Sequence, residues 1–177
     1  RAEARRCTLK RAPLMLTLLA LCSCSRRASD PAVVHQEQPF AGVVSLVQMA
    51  DPKTAGQLLK GFHSVEQDSW RWTERKFSIA LKIPANGKPG RLLMKFALPE
   101  ALLARLRSIT VKALVNGVAL PSQTYDQAGE HVYEQPVPAA AMNGDVARVD
   151  FELDQALPPT ETDRRELGLV VSSVELE

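Results

Sequence analysis

From Trp70 onward the chain places apolar residues at every second position, and a segment with that period can bury them on one side only as a strand of a sheet. Phe77, Ile79 and Leu81 alternate with Ser78, Ala80 and Lys82, and Leu92, Met94, Phe96 and Leu98 alternate with Leu93, Lys95 and Ala97. Ile109, Val111, Ala113 and Val115 repeat the pattern, as do Val149, Phe151 and Leu153. Turn signals stand between these runs: Ala85-Asn86-Gly87, Pro89-Gly90 and Asn116-Gly117. The last is the strongest, because asparagine and glycine accept the positive φ values of a type I′ hairpin. Residues 99–106 (PEALLARL) carry the one stretch of helical spacing, and residues 138–142 predict a single turn closed by Asn143-Gly144. Residues 167–176 are nearly continuous in apolar side chains and predict a strand buried on both sides. About eight strands at this spacing, with one or two short helices, predict an all-β fold: an antiparallel β-sandwich.

Upstream, residues 40–49 (FAGVVSLVQM) predict a strand or a short packed segment. Asp51-Pro52 offers a helix start, with Asp51 as cap and Pro52 at the first helical position. Residues 54–59 then predict one or two helical turns, stopped by Gly61.

The first 24 residues have a different character. All three cysteines, Cys7, Cys22 and Cys24, lie there, so the remainder has no thiolate metal site and no disulfide framework to rely on. A basic stretch over residues 5–11 precedes an apolar run over residues 13–21 (PLMLTLLAL), and small residues follow. That order is n-region, h-region and cleavage site of a secretory signal. The run is too short to remain as a spanning helix, which needs about 20 apolar residues. Residues 1–23 hold five basic groups and one acid, so the whole-chain charge of +2 leaves about −2 on residues 24–177. A mildly acidic body without a basic stripe argues against nucleic acid as a partner.

Leu21-Cys22-Ser23-Cys24 resembles the lipobox of bacterial lipoproteins, in which a small residue precedes the cysteine that is lipidated. Cys24 fits best, with Ser23 before it; Cys22 is the alternative acceptor and places Leu21 at the cleavage site. The resemblance implies a diacylglyceryl anchor, hence the membrane as a partner through several acyl chains. Ser25 follows the cysteine where an aspartate would mark inner-membrane retention in that family, which implies the outer membrane. The expected organisation is a signal peptide over 1–23, a lipidated cysteine and flexible tether over 24–39, and a β-sandwich domain over 40–177.

Candidate functional residues are few. Trp70 and Trp72, the only tryptophans, are two apart and share a strand face, with Arg71 on the other. Indole faces stack on sugar rings, but two large aromatics on one strand face are also ordinary core, and both readings stay open. His35 in the tether, His63 before the first strand and His131 near a turn form no metal spacing. Asp150, Glu152 and Asp154 alternate along one strand and read as a solvated face. No GxSxG, HExxH or phosphate-cradling glycine loop occurs, so the sequence implies no cofactor, no metal and no catalytic residue.

Gly61-Phe62-His63 with Glu66, then Arg71-Trp72-Thr73, and finally Asp163-Arg164-Arg165-Glu166-Leu167-Gly168 before the last strand, form two short motifs at the ends of residues 61–177. In these the chain resembles small β-sandwich modules found beside bacterial cell-surface polysaccharide glycosyltransferases, with histidine at position 63 in place of the usual aromatic. The resemblance implies a galactose-binding-like jelly roll. Pairing of the first and last strands would bring Glu66, Trp72, Asp163 and Arg165 together. An aromatic plate flanked by a carboxylate and a guanidinium suits a sugar, whose hydroxyls donate and accept; the same residues equally describe an ion pair covering a core indole.

The function expected is that of an envelope-anchored, non-catalytic lipoprotein whose domain binds cell-surface polysaccharide through Glu66, Trp70, Arg71, Trp72, Asp163 and Arg165. Two alternatives stand beside it. One is a structural or assembly lipoprotein binding an envelope protein; the other is a hydrolase, which requires a deep pocket and an acid of perturbed pKa.

Overall fold

The computed structural model describes residues 42–85 and 90–177. The expected signal, Cys24, the tether and the Asn86-Gly87 turn lie outside the described residues, as does His35. Ten strands dominate: β1 (Leu46–Gln48), β2 (Leu58–Glu66), β3 (Trp70–Lys82), β4 (Gly90–Leu98), β5 (Ile109–Val115), β6 (Val118–Ala119), β7 (Gln123–Tyr125), β8 (Gly129–Val137), β9 (Val146–Leu153) and β10 (Val170–Leu176). One α-helix, α1 (Glu100–Leu106), and two 3-10 turns, Pro52–Gln57 and Ala139–Ala141, complete the described secondary structure.

Every strand pairing among the described residues is antiparallel. One layer runs β1-β10-β4-β8 and the other β3-β9-β5-β7, with β2 added beside β3 and β6 beside β5. That pairing is the strand order of a jelly roll, so the expected sandwich is the fold observed. The layers are joined through β3. Its Arg71 and Trp72 pair with Val171 and Val170 of β10 in the front layer, while Lys76 to Lys82 pair with β9 in the back layer.

The alternation read from the sequence is the alternation that builds the core. Leu92, Met94, Phe96 and Leu98 point inward from β4, and Ile109, Val111, Ala113 and Val115 point inward from β5. Aromatic rings close the space between the layers. The Tyr133 ring of β8 meets Phe151 of β9 at a centroid distance of 6.3 Å and Phe96 of β4 meets Tyr125 of β7 at 5.0 Å, while within the back layer Phe77 stacks on its strand partner Phe151 at 4.8 Å. Pairs of this kind contribute about 0.5–1.5 kcal/mol each beyond the area they bury. Both tyrosines donate their hydroxyls to backbone carbonyls, Tyr125 to Val132 and Tyr133 to Pro121. Burial pushes the Tyr133 phenol up to about 12 and raises that of Tyr125. Asn116 and Gly117 hold φ values of 49° and 82°, the two positive angles of a type I′ turn, and Val115 pairs with Val118 across it.

The region before β3 differs from expectation. Asp51 does cap the turn, accepting from the Lys53 amide at 2.9 Å, and Pro52 does occupy its first position. The turn is 3-10, however, and stops at Gln57, not Gly61. Gln57 is the reason: its side chain donates to the carbonyls of Val44 and Ala80 and accepts from the Val44 amide, which fixes the segment before β1 against β3. Leu58 therefore enters β2 at once. Gly61 lies within that strand at φ 74°, where the β2–β3 register shifts. His63 is thus inside a strand, not before the first one.

Candidate functional site

The front layer turns one face to the core and the other outward, and the tryptophans are on the outward face. Directly paired residues point to the same side of a sheet. Trp72 pairs with Val170, Val170 with Ala97, and Ala97 with Glu130, so these four form one outward row across β3, β10, β4 and β8. Trp70 lies two residues before Trp72 on the same side. Two contiguous, solvent-open grooves of about 420 and 480 Å³ run over this row, sharing Trp70, Ala97, Glu130 and Val170. Lys95, Val132 and Ser172 extend one of them, and Trp72 and Glu100 wall the other.

Both indoles are half-buried, and their rings meet edge to face with centroids 6.2 Å apart and planes at 86°. They are not equivalent. Trp72 packs against the hydrophobic core, whereas Trp70 is absent from the side chains packed on that cluster. The choice between core and surface has a divided answer: Trp72 serves both, and Trp70 stands on the outer surface. Arg71 points to the opposite side, where its Nε donates to the Met49 carbonyl and its Nη1 to the His63 carbonyl. Its guanidinium braces backbone.

The two terminal motifs lie together. The Gly168 amide donates to the Thr73 carbonyl at 2.7 Å, and the Leu169 amide donates to Thr73 Oγ1 at 3.0 Å. Gly168 has no room for a side chain, since a Cβ there would stand 2.6 Å from Leu153 Cδ1 and 2.8 Å from Thr73 Oγ1. Arg165 Nη1 donates to Glu66 Oε1 at 2.6 Å, and Arg165 Nε and Nη2 donate to Asp163 Oδ1 and Oδ2 at 3.0 and 2.9 Å. The hydrogen bonds from Arg165, first from its side chain and then from its backbone amide, hold the Asp163 carboxyl down at about 2; hydrogen bonds to Asp163 and then to Glu66 raise the Arg165 guanidinium. Glu66 is also the cross-strand partner of Trp70, so this charged cluster borders the tryptophan face at its β2 edge.

The remaining polar candidates have structural partners. His63 Nε2 lies 2.8 Å from the Glu166 carbonyl, and His131 Nε2 lies 2.8 Å from the Gln127 carbonyl, with the latter ring against Phe96 and Tyr125. Both imidazoles are half-buried. Asp150 accepts from Arg148 and Ser78, Glu152 pairs with Lys76 at 3.3 Å, and Asp154 accepts from the Thr110 amide. Hydrogen bonding to Arg148 lowers the Asp150 pKa. Among the described residues no three His, Cys, Asp or Glu side chains converge as a cation site would require.

The sequence reading missed the far half of the groove, Ala97, Glu130, Val132 and Val170. Sheet order, far more than local pattern, sets them beside the tryptophans. The one available signal was the outward alternation of Glu130, Val132 and Glu134 in a segment not read as a strand.

No protein-family model matches the chain, and no curated protein matches it. Among solved structures it is similar to the CBM36-1 domain of a multidomain xylanase from the hindgut metagenome of Trinervitermes trinervoides, at 8% identity and a TM-score of 0.43 over 75% of this chain and 94% of that one. It is also similar to a carbohydrate-binding module CBM36 in complex with calcium and xylotriose, at 9% identity and a TM-score of 0.39 over 76% of this chain and 100% of that one. A third is a family GH115 4-O-methyl-alpha-glucuronidase with specificity for decorated arabinogalactans, at 8% identity and a TM-score of 0.47, covering 76% of this chain and 17% of the enzyme. The scores are low, and the fold assignment stands on the strand pairing above.

Proposed function

We propose that the domain is a non-catalytic glycan-binding module, and that the chain is exported and held in the cell envelope, at the outer membrane, by a lipid on Cys24. The observation that carries the binding reading is the pair of half-buried tryptophans on an outward sheet face, lining an open groove floored by Val170 and Ala97. Indole faces take the CH surface of a sugar ring, and the flanking Lys95, Glu130 and Ser172 offer hydrogen-bond partners to its hydroxyls. The Glu66–Arg165–Asp163 cluster at the groove border is read as the flank that fixes the position of Trp70 and meets sugar hydroxyls at its exposed rim.

Two features support binding without chemistry. Among the described residues the carboxyls with displaced pKa values, Asp150 and Asp163, are displaced downward by arginines, opposite to what a general acid needs. Neither lines the groove. A protein partner is the second reading, favoured by Val132, 44% exposed on β8, whose only strand partner among the described residues is β4.

Affinity electrophoresis through gels containing soluble polysaccharides tests the binding reading. Trp70→Ala is the informative variant, because Trp70 lies outside the core. It is expected to abolish retardation while leaving the thermal midpoint within a few degrees of the parent. Retardation that survives both Trp70→Ala and Trp72→Ala removes the face as the site. For the anchor, radiolabelled palmitate is expected to enter the parent and not Cys24→Ala; a cytosolic, unlabelled parent overturns it.

A further inference from the structure

We propose that the groove selects a single soluble glycan chain of uncharged sugars, laid across the strands from Trp72 towards Glu130. This inference rests on the reading of the tryptophan face as a glycan site, and it specifies the ligand class. Three observations carry it.

The first is ring geometry. A flat, crystalline glycan surface requires aromatic rings lying in one plane, each stacked on its own sugar. Here the indole planes stand at 86° with centroids 6.2 Å apart, so the two rings form a corner. Such a corner takes the face of one sugar and the edge of that sugar or its neighbour. It cannot lie flat on a sheet of chains.

The second is the direction of the groove. Trp72, Val170, Ala97 and Glu130 stand side by side on four adjacent strands. Three strand spacings amount to about 14 Å, the length of a short oligosaccharide. The small side chains of Val170 and Ala97 leave a trough between the indole and the carboxylate. A chain crossing the strands fits that trough.

The third is charge. The groove walled by Trp72 is lined by two acids, Glu100 and Glu130, and, among the described residues, by no basic side chain. Both are exposed, so their carboxylates accept from sugar hydroxyls without first leaving an ion pair within that groove. A uronate or phosphate on the ligand would meet like charge there. Lys95 and His131 line the neighbouring groove, where Lys95 balances only one of the two acids.

The test is affinity electrophoresis at low and at physiological salt, using soluble β-glucan and galactomannan as neutral probes and polygalacturonate as the acidic one. Sedimentation with microcrystalline cellulose supplies the crystalline surface. The expected result is retardation by at least one neutral polymer, polygalacturonate binding at least about tenfold weaker at low salt with the gap narrowing as salt rises, and no sedimentation with cellulose. The Glu100→Gln/Glu130→Gln variant is expected to narrow the neutral-to-acidic gap at low salt. Polygalacturonate binding as tightly as any neutral polymer, or cellulose binding lost on Trp70→Ala, overturns the selectivity and leaves the glycan reading standing. Retardation by no polysaccharide at all, or capture of an envelope protein through the tryptophan face instead, overturns both.

Discussion

Gly61→Ala is expected to be among the most damaging methyl additions in the domain. Gly61 sits in β2 at φ 74°, a left-handed conformation that costs an L-residue about 1–2 kcal/mol. The added Cβ would also overlap the Lys76 carbonyl oxygen and lie 2.8 Å from Phe77 Cα. Those atoms belong to the backbone of β3, so no side-chain rotation relieves the clash. β2 must move away, which loosens the edge contact of Phe62 on Phe77, now at 5.3 Å, worth about 0.5–1.5 kcal/mol. With the overpacking term of about 1–3 kcal/mol, the total loss is about 2.5–6.5 kcal/mol, or roughly 8–26 °C in thermal midpoint at about 3–4 °C per kcal/mol for a domain of this size. The control is the same methyl at Gly56, which is exposed, has nothing within 4 Å of the added atom and has no positive φ. There the substitution is expected to be neutral or to stabilise by up to about 1 kcal/mol, through the unfolded chain. Thermal unfolding followed by far-ultraviolet circular dichroism compares the two. Midpoints within about 2 °C of each other would refute the close approach of β2 to β3 and the register built on it.

Gly168→Ala meets Leu153, Thr73 Oγ1 and the Glu74 carbonyl, and is expected to cost about 1–3 kcal/mol by denaturant titration; a midpoint equal to the parent's would mean the two terminal motifs do not dock. Asn116→Ala removes the donor to the Ala141 carbonyl and the acceptor of the Arg148 amide, and leaves a positive φ on alanine. A loss of about 1–3 kcal/mol is expected, and no measurable change would argue against the type I′ hairpin. Asp163 is depressed to about 2 from an ordinary 3.8, so its contribution is complete above pH 4 and is lost as pH falls through 2. Thermal midpoints measured from pH 5 to pH 2 should therefore fall less steeply in Asp163→Asn than in the parent, and an identical slope would count against the Arg165–Asp163 pair.

The strands that the sequence made legible are those where one side faces the core without interruption. β4, β5 and β9 each bury every second residue, β3 buries Phe77 to Leu81 without a break on either side, and α1 falls on PEALLARL as its spacing requires. β2 was opaque for a physical reason. Its pairing with β3 shifts register three times, so no period survives in LLKGFHSVE, and the capped turn before it suggested a helix running on to Gly61. β8 was hidden by composition: an edge strand tolerates Pro136 and outward charges such as Glu130 and Glu134, and these resemble a loop. The site was legible in the same uneven way. Two tryptophans on one strand name an outward face or a core face, and only the neighbouring strands decide which.

β10 is laid between partners made much earlier in the chain: Ser172 donates across 77 residues to Lys95, and Leu169 across 96 residues to Thr73. Until it arrives, β4 on one side and β1 with the start of β3 on the other flank an empty slot in the middle of the front layer. Such long-range closure is slow, and the waiting chain exposes unpaired edges that invite association with other chains. A free peptide matching residues 170–176 is therefore a rational decoy, able to fill the slot before the chain's own segment does and to trap the protein half-built.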